Sequence, residues 1–294
     1  MKNQTYRFNI GSFNCIALSD GTMTYAPPMF PPPDIFLFSN AEEAELSQVM
    51  QKHGISLNDW KEWVSPYTCL FVDTGRNTVL IDTGAGSLTE TTGKLLQNMK
   101  TEGISPEEIQ YVILSHGHPD HVGGNLDSSG KTYFSQAMWI IMKSEWEFWT
   151  TEKAEHQLDE HNRDTLLNIA RTNLLPLEKM VDLVEDGDEI IPGIRVLNAA
   201  GHTPGHMAVS IISGDDKLLC ISDAVIHPVH LAQPKWFSAV DVAPAEVVET
   251  RQRLLNKAFN EHSLVMAFHF PFPGIGYVQK ENNGWKWQPI ENAG

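Results

Sequence analysis

The sequence predicts an α/β fold of four layers, αββα, in which two β-sheets pack face to face and helices cover their outer sides. Three observations carry this. Short apolar runs of strand type come in two blocks, at the start to middle of the chain and again from 181 to 221. Helix-type segments lie between and after these blocks. The apolar runs end in polar turns that carry His or Asp, as strands do when they stop at one common edge. The 294 residues, 41% hydrophobic, are enough to bury a large core, and the chain reads as one domain, 1–294.

Each element follows from local pattern. TYRFNIGSFNCIALSDG alternates apolar and polar residues around a glycine, predicting two strands and a turn. Five prolines, Pro27, Pro28, Pro31, Pro32 and Pro33, then interrupt regular structure, so residues 22–35 read as an exposed arm. Residues 41–53 are helical in spacing. TCLFVDTG (68–75) and TVLIDTG (78–84) form a hairpin across a short turn. Residues 87–101 read as helix, YVIL as a buried strand and 139–175 as largely helical. VDLVE, IRVLNAAG, MAVSIIS and KLLCISD read as strands, 244–259 as a helix with Pro at its first turn and LVMAFHF as one more strand.

Composition narrows the partners. A formal charge of −16 repels phosphate backbones and anionic membranes, which argues against nucleic acid and membrane surfaces. Cys15, Cys69 and Cys220 are few, odd in number and far apart, a pattern of reduced thiols. With no apolar leader or membrane-length run, a cytoplasmic location is expected. Residues 1–60 read as an N-terminal extension. The apolar Met23, Met29, Phe30, Ile35, Phe36 and Phe38 in it suggest an exposed apolar surface that a second subunit covers in a homodimer; a lid over the chain's own active site is the competing reading.

The chemistry concentrates in SHGHPDHVGG, residues 115–124. His116 and His118 alternate off the end of a buried strand, and Asp120 and His121 follow on the turn. Neutral imidazole and carboxylate are favoured ligands of zinc. Four such groups in six positions cannot surround one tetrahedral ion without backbone strain, but they can serve two adjacent ions. A histidine-rich surface loop would show the same composition, yet it would not follow a buried strand. His202, Asp223 and His269 also stand after apolar strands. Each alone reads as a capping residue; together they supply the remaining ligands for two ions.

HGHPDH resembles the HxHxDH signature of the metallo-β-lactamase superfamily. Asp82 in LIDTG, His202 in AGHTPGH, Asp223 in ISDA and His269 in AFHFPFPGIG match in order, over roughly residues 65–280. The resemblance implies an αββα sandwich with metals at one edge of the sheets. It implies that His116, His118 and His202 hold a first ion, that Asp120, His121 and His269 hold a second, and that Asp223 bridges both. Asp82 would orient a ligand imidazole through its ring N–H, or else simply cap the turn before Gly84. His206 reads as a buried structural histidine. Two divalent ions are implied, Zn2+ first, with Mn2+, Fe2+ or Co2+ accepted by the same ligands.

Such a pair, about 3.5–4 Å apart, generates a hydroxide near neutral pH and polarises a C=O or P=O group, with Asp120 and Asp223 as the catalytic carboxylates. Asp223 argues against true β-lactamases, His118 against flavodiiron oxidoreductases and the acidic charge against nucleases of the superfamily. Glyoxalase II shares the ligands, but its basic glutathione-binding segment is not found. AFHFPFPGIG, SEWEFWT and SDAVIHP look most like the branch of methyl parathion hydrolase and related lactonases. The expected activity is therefore hydrolysis of acyl homoserine or aryl lactones and related esters, with phosphotriesterase side activity. Alternatives are a dedicated organophosphate phosphotriesterase, a thioesterase or a non-catalytic binding protein. The substrate would be small and uncharged. Trp149 and Phe272 are candidates to wall its pocket or to pack the core, Phe148 and Phe270 fit the core better, and His227 is a candidate hydrogen-bond donor to an ester oxygen or a satisfied buried group.

Overall fold

A computed structural model describes residues 4–158, 160 and 163–290. Two seven-stranded sheets organise it. The first runs in chain order: β1 (Thr5–Ile10), β2 (Phe13–Tyr25), β3 (Trp63–Asp73), β4 (Thr78–Ile81), β5 (Tyr111–Ile113), β6 (Met138–Met142) and β7 (Val181–Val184). The second contains β8 (Glu189–Ile191), β9 (Ile194–Asn198), β10 (Met207–Ser213), β11 (Asp216–Cys220), β12 (Leu264–Met266), β13 (Ile275–Glu281) and β14 (Gly284–Pro289), again side by side in chain order. The helices are α1 (Pro33–Leu37), α2 (Glu43–Lys52), α3 (Leu95–Thr101), α4 (Pro119–Val122), α5 (Lys143–Thr150), α6 (Lys153–Gln157), α7 (Arg163–Leu174), α8 (Val229–Ala232) and α9 (Pro244–Asn260).

Strand direction explains where most helices fall. β1 to β4 pair antiparallel, so short turns suffice. β4, β5, β6 and β7 pair parallel and need crossovers, which carry α3 to α7. In the second sheet only β11 and β12 are parallel, and α8 and α9 lie in that crossover.

Alternation along the strands makes the layers. Leu70 and Val72 of β3 enter the core between the sheets, while Cys69 and Phe71 face the outer helices. In β11, Leu218 and Cys220 join the same central core, while Leu219 packs outward with Leu254 and Leu255 of α9. Each fully buried Leu, Ile or Val contributes about 1.5–3 kcal/mol, so the period-two pattern holds three stacked cores together. This is the αββα sandwich expected.

Several boundaries differ from expectation. Residues 138–142 form β6, because MWIIM is a central parallel strand covered on both faces and so lacks strand alternation. Within 87–101 the α-helix begins only at Leu95. LVMAFHF leaves the strand after Met266, and β13 and β14 complete the sheet with half-exposed residues that gave little apolar signal. Residues 5–25 are strands of the first sheet, and the proline-rich arm holds α1. Met23, Phe36 and Phe38 are buried and Phe30 half-buried, which corrects the expectation of an exposed apolar surface. Phe36 and Phe38 have partners in their own chain, in a cluster with Trp63, Ile226, Val229 and Trp236. Of the six apolar residues, Met29 and Ile35 remain exposed. No helix among the described residues is long and apolar enough to cross a membrane.

Candidate metal centre

The site lies where β5, β9, β11 and β12 end. After β5, Leu114 and Ser115 lead into His116, Gly117 and His118, and α4 starts at Pro119, whose missing N–H costs nothing at a first helical position. Asp120 and His121 then stand on the first turn. Gly123 and Gly124 allow the exit: a Cβ there would meet the Ala85 carbonyl oxygen at 2.3 Å and the Thr83 carbonyl oxygen at 2.0 Å. Two non-glycine residues with left-handed backbone, Asp82 (φ 59°) and Ser222 (φ 43°), border the site. Such conformations are sparsely populated and persist where surrounding contacts over-determine them.

The seven residues predicted as ligands come together, all buried. His118 Nδ1 lies 3.0 Å from His116 Nε2 and 2.9 Å from His202 Nε2, so three imidazole nitrogens converge. On the other side, Asp120 Oδ2 lies 3.7 Å from His121 Nε2 and 3.5 Å from His269 Nε2. Asp223 stands between. Its Oδ2 is 3.4 Å from His202 Nε2 and 3.0 Å from His269 Nε2, and its Oδ1 is 3.3 Å from His121 Nε2.

The donor set fits divalent cations. His121 Nε2 is buried and has no hydrogen-bond partner among the described residues, an arrangement that is costly unless something else is coordinated there. Burial depresses His116 and His118 well below the usual imidazole range, assisted by neighbouring imidazoles, so both are neutral as ligands must be. Burial also pulls His121 down, but Asp223, Asp120 and Asp82 more than offset it and raise it well above that range; the position favours positive charge. Burial alone would raise Asp223, yet His269 and His121 outweigh it and hold it well below the usual carboxylate range.

Hydrogen bonds orient the candidate ligands. Asp82 Oδ2 accepts from His121 Nδ1 at 2.8 Å, while Ser115 donates its backbone N–H to Oδ1 at 2.7 Å and its hydroxyl to Oδ2 at 2.8 Å. Three partners were not anticipated. Asp241 Oδ1 accepts from His202 Nδ1 at 2.7 Å, Ser65 Oγ lies 2.7 Å from His269 Nδ1, and the fully buried Glu145 meets the loops of His116–His118 and His202. His206 is buried; its Nε2 accepts the Asp223 backbone N–H at 3.1 Å, and burial pushes it down to about 3.

The expected pocket residues fare differently. Trp149 corrects one expectation: it has no exposed surface, because its indole is wedged behind Gly117 and donates to Glu145 Oε1 at 2.6 Å. Phe148 and Phe270 are core residues, and the half-buried Phe272 packs against the core between the sheets. His227 is half-buried, its ring 5.6 Å from Phe38, 5.8 Å from Trp60 and 6.3 Å from Trp63. Trp63 in turn lies 5.8 Å from the His269 ring, so the folded arm and the strand after it build an aromatic wall beside the second ligand group.

Comparison with known proteins agrees with this geometry. The family model of the metallo-beta-lactamase superfamily matches residues 63–269, and the chain belongs to that superfamily. An N-acyl homoserine lactonase of Bacillus cereus is 30% identical over 168 residues, which cover 50% of this chain and 58% of the relative. A lactonase of the same name from another Bacillus is 27% identical over an equal length. The chain thus spans little more than half the length of these curated relatives. The crystal structure of AbOPH, a hydrolase in the beta-lactamase superfamily, shares 26% identity and superposes with a TM-score of 0.87, covering 99% of this chain and 98% of that one. AidC, a dizinc quorum-quenching lactonase, shares the fold at 24% identity and a TM-score of 0.84, covering 97% of each chain.

Proposed function

We propose that this protein is a dinuclear-metal hydrolase of small uncharged lactones, acyl homoserine lactones foremost, with side activity on related esters and phosphotriesters. The observation that carries the reading is Asp223, one carboxylate within 3.4 Å of imidazoles from both ligand groups. The names of the lactonase relatives support the substrate class. His116, His118 and His202 would hold one ion, Asp120, His121 and His269 the other, with Asp223 shared. Zn2+ is the ion proposed; Mn2+, Fe2+ and Co2+ suit the same donors. When bound, the ions supply Lewis acidity and lower the pKa of water to about 7.

The chain's own residues do the rest. Asp120, beside His269, takes the proton of the attacking water on its carboxylate and returns it to the leaving alkoxide. Burial pushes His227 down to about 3, so it is neutral; its Nδ1 accepts from the Val229 N–H at 3.2 Å, which leaves the proton on Nε2 as a donor to the ester oxygen. The half-buried Trp60, backed by the buried Phe38 and Trp63, receives the apolar part of the substrate and excludes water from it. The arm over residues 26–62 then acts as a wall or lid, and the exposed Met29 and Ile35 are what remains of it for a homodimer contact, which light scattering would detect.

The test is a substrate panel on protein of measured metal content, with acyl homoserine lactones, dihydrocoumarin and paraoxon. We expect lactone hydrolysis that chelation abolishes and Zn2+ restores, with lactone turnover exceeding that of paraoxon. A fully loaded protein that opens no lactone overturns the reading. Paraoxon turnover in excess would identify a phosphotriesterase proper, and less than one ion per chain would point to a non-catalytic binding protein.

A further inference from the structure

We infer that Glu145 is a positioning residue that clasps the two loops carrying His116, His118 and His202, and so sets the affinity of that ion separately from its neighbour. The inference rests on the dinuclear reading above. Glu145 lies in the first turn of α5 and is fully buried, yet it has no cationic partner among the described residues; four hydrogen bonds satisfy it instead. Oε1 accepts from the backbone N–H of Gly117 at 2.8 Å and from the Trp149 indole at 2.6 Å. Oε2 accepts from the Thr203 hydroxyl at 2.7 Å and the Gly205 N–H at 2.9 Å.

The placement of these donors gives the clasp its meaning. Gly117 is the residue between His116 and His118, and Thr203 directly follows His202. One carboxylate therefore ties together the three ligands of one group, which come from segments more than eighty residues apart, and touches none of Asp120, His121 and His269. The packing is equally close. A Cβ on Gly117 would meet the Trp149 ring at 2.4 Å, and one on Gly205 would meet the Glu145 backbone at 2.1 Å, so both loops rest directly on α5. The Trp149 ring also stands edge-on to His118, with centroids 5.6 Å apart. Four donors aimed at two oxygens require the ionised form, since a protonated or amide group would set donor against donor.

The test reads metal affinity, not turnover. Chelator competition on Glu145→Gln, Thr203→Val and Trp149→Phe, with circular dichroism of the metal-free proteins as a fold check, gives dissociation constants for both ions. His202→Ala and His269→Ala assign each constant to its ligand group. Partners behind a metal ligand typically alter affinity 10–100-fold. We expect Glu145→Gln to weaken the constant that His202→Ala abolishes by about that factor, the two milder variants to weaken it less, and all three to leave the other constant within about threefold. Equal weakening of both ions, or of neither, in folded variants overturns the clasp. If Glu145→Gln fails to fold, Thr203→Val and Trp149→Phe decide by the same criterion. Should the wild type hold a single ion, the dinuclear reading fails, and the clasp is judged on whether that ion depends on His202.

Discussion

The two ligand groups share Asp223 but are braced differently. Behind His202 stands the carboxylate of Asp241, and behind the loops of that group stands Glu145. Behind His121 stands the carboxylate of Asp82, but His269 has only the neutral hydroxyl of Ser65. Either a carboxylate or a hydroxyl behind an imidazole fixes its tautomer and orientation, but the charged carboxylate raises its basicity more. The group of His116, His118 and His202 is therefore the one braced by two carboxylates, the other by one. The group of Asp120, His121 and His269 borders the aromatic wall and contains a histidine with no carboxylate behind its Nδ1, which under the proposed function would suit an ion that must meet a substrate.

The largest effect is expected where the groups meet. Asp223→Ala removes the carboxylate common to both, so both ions should bind more than about a hundredfold more weakly, beyond what an outer partner costs, and lactone hydrolysis should fall to background. Metal analysis after dialysis, with activity at saturating Zn2+, checks this. If only one ion is lost, Asp223 belongs to one group and the comparison must be redrawn.

Next come the two braces. Asp241→Asn and Asp82→Asn should each weaken one ion by about 10–100-fold, the first acting on the ion that His202→Ala abolishes and the second on the other. Paired chelator titrations at fixed pH measure this. Crossed or equal losses would mean that the groups are not mechanically separate.

What could be read beforehand follows a physical rule. The clustering of candidate ligands and their neighbours at the ends of apolar strands was legible: His116 after YVIL, Asp223 after LLCIS and Asp82 after TVLI all stand out as polar groups where burial begins. The sheets were legible because β3 and β11 alternate between two cores. The braces were not. Asp241 sits 39 residues beyond His202 in a loop between α8 and α9, and Ser65 near the start of β3 is one small hydroxyl among many. Glu145 lies in KSEWEFWT, a stretch that reads only as helix, and Trp149 beside it reads as pocket wall or core. Their spacing of four, which puts both on one face of α5, was the available signal that the indole serves the carboxylate. The arm misled for a related reason: apolar residues among prolines say that a surface is covered, but not that Trp63 and Trp236 of the same chain cover it.

The smallest effect tests the contrast most finely. If Nε2 of His269 is the atom that holds the ion, its Nδ1 carries the proton and donates it to Ser65 Oγ, 2.7 Å away. A neutral hydrogen bond of this kind contributes about 0.5–1.5 kcal/mol, or about 2- to 12-fold in affinity. Ser65→Ala should therefore weaken the ion of Asp120, His121 and His269 by less than Asp82→Asn does, and leave the ion of His202 unchanged. Because Ser65 is buried, the alanine also removes the partner of Nδ1, so the order of that ring then depends on its Nε2 contacts and on packing against Trp63 and Tyr67, whose rings lie 5.8 Å and 5.5 Å away. A loss as large as that of Asp82→Asn would show that orientation, not the charge behind the imidazole, governs how tightly each ion is held, and the distinction between the two groups would then rest on Glu145 alone.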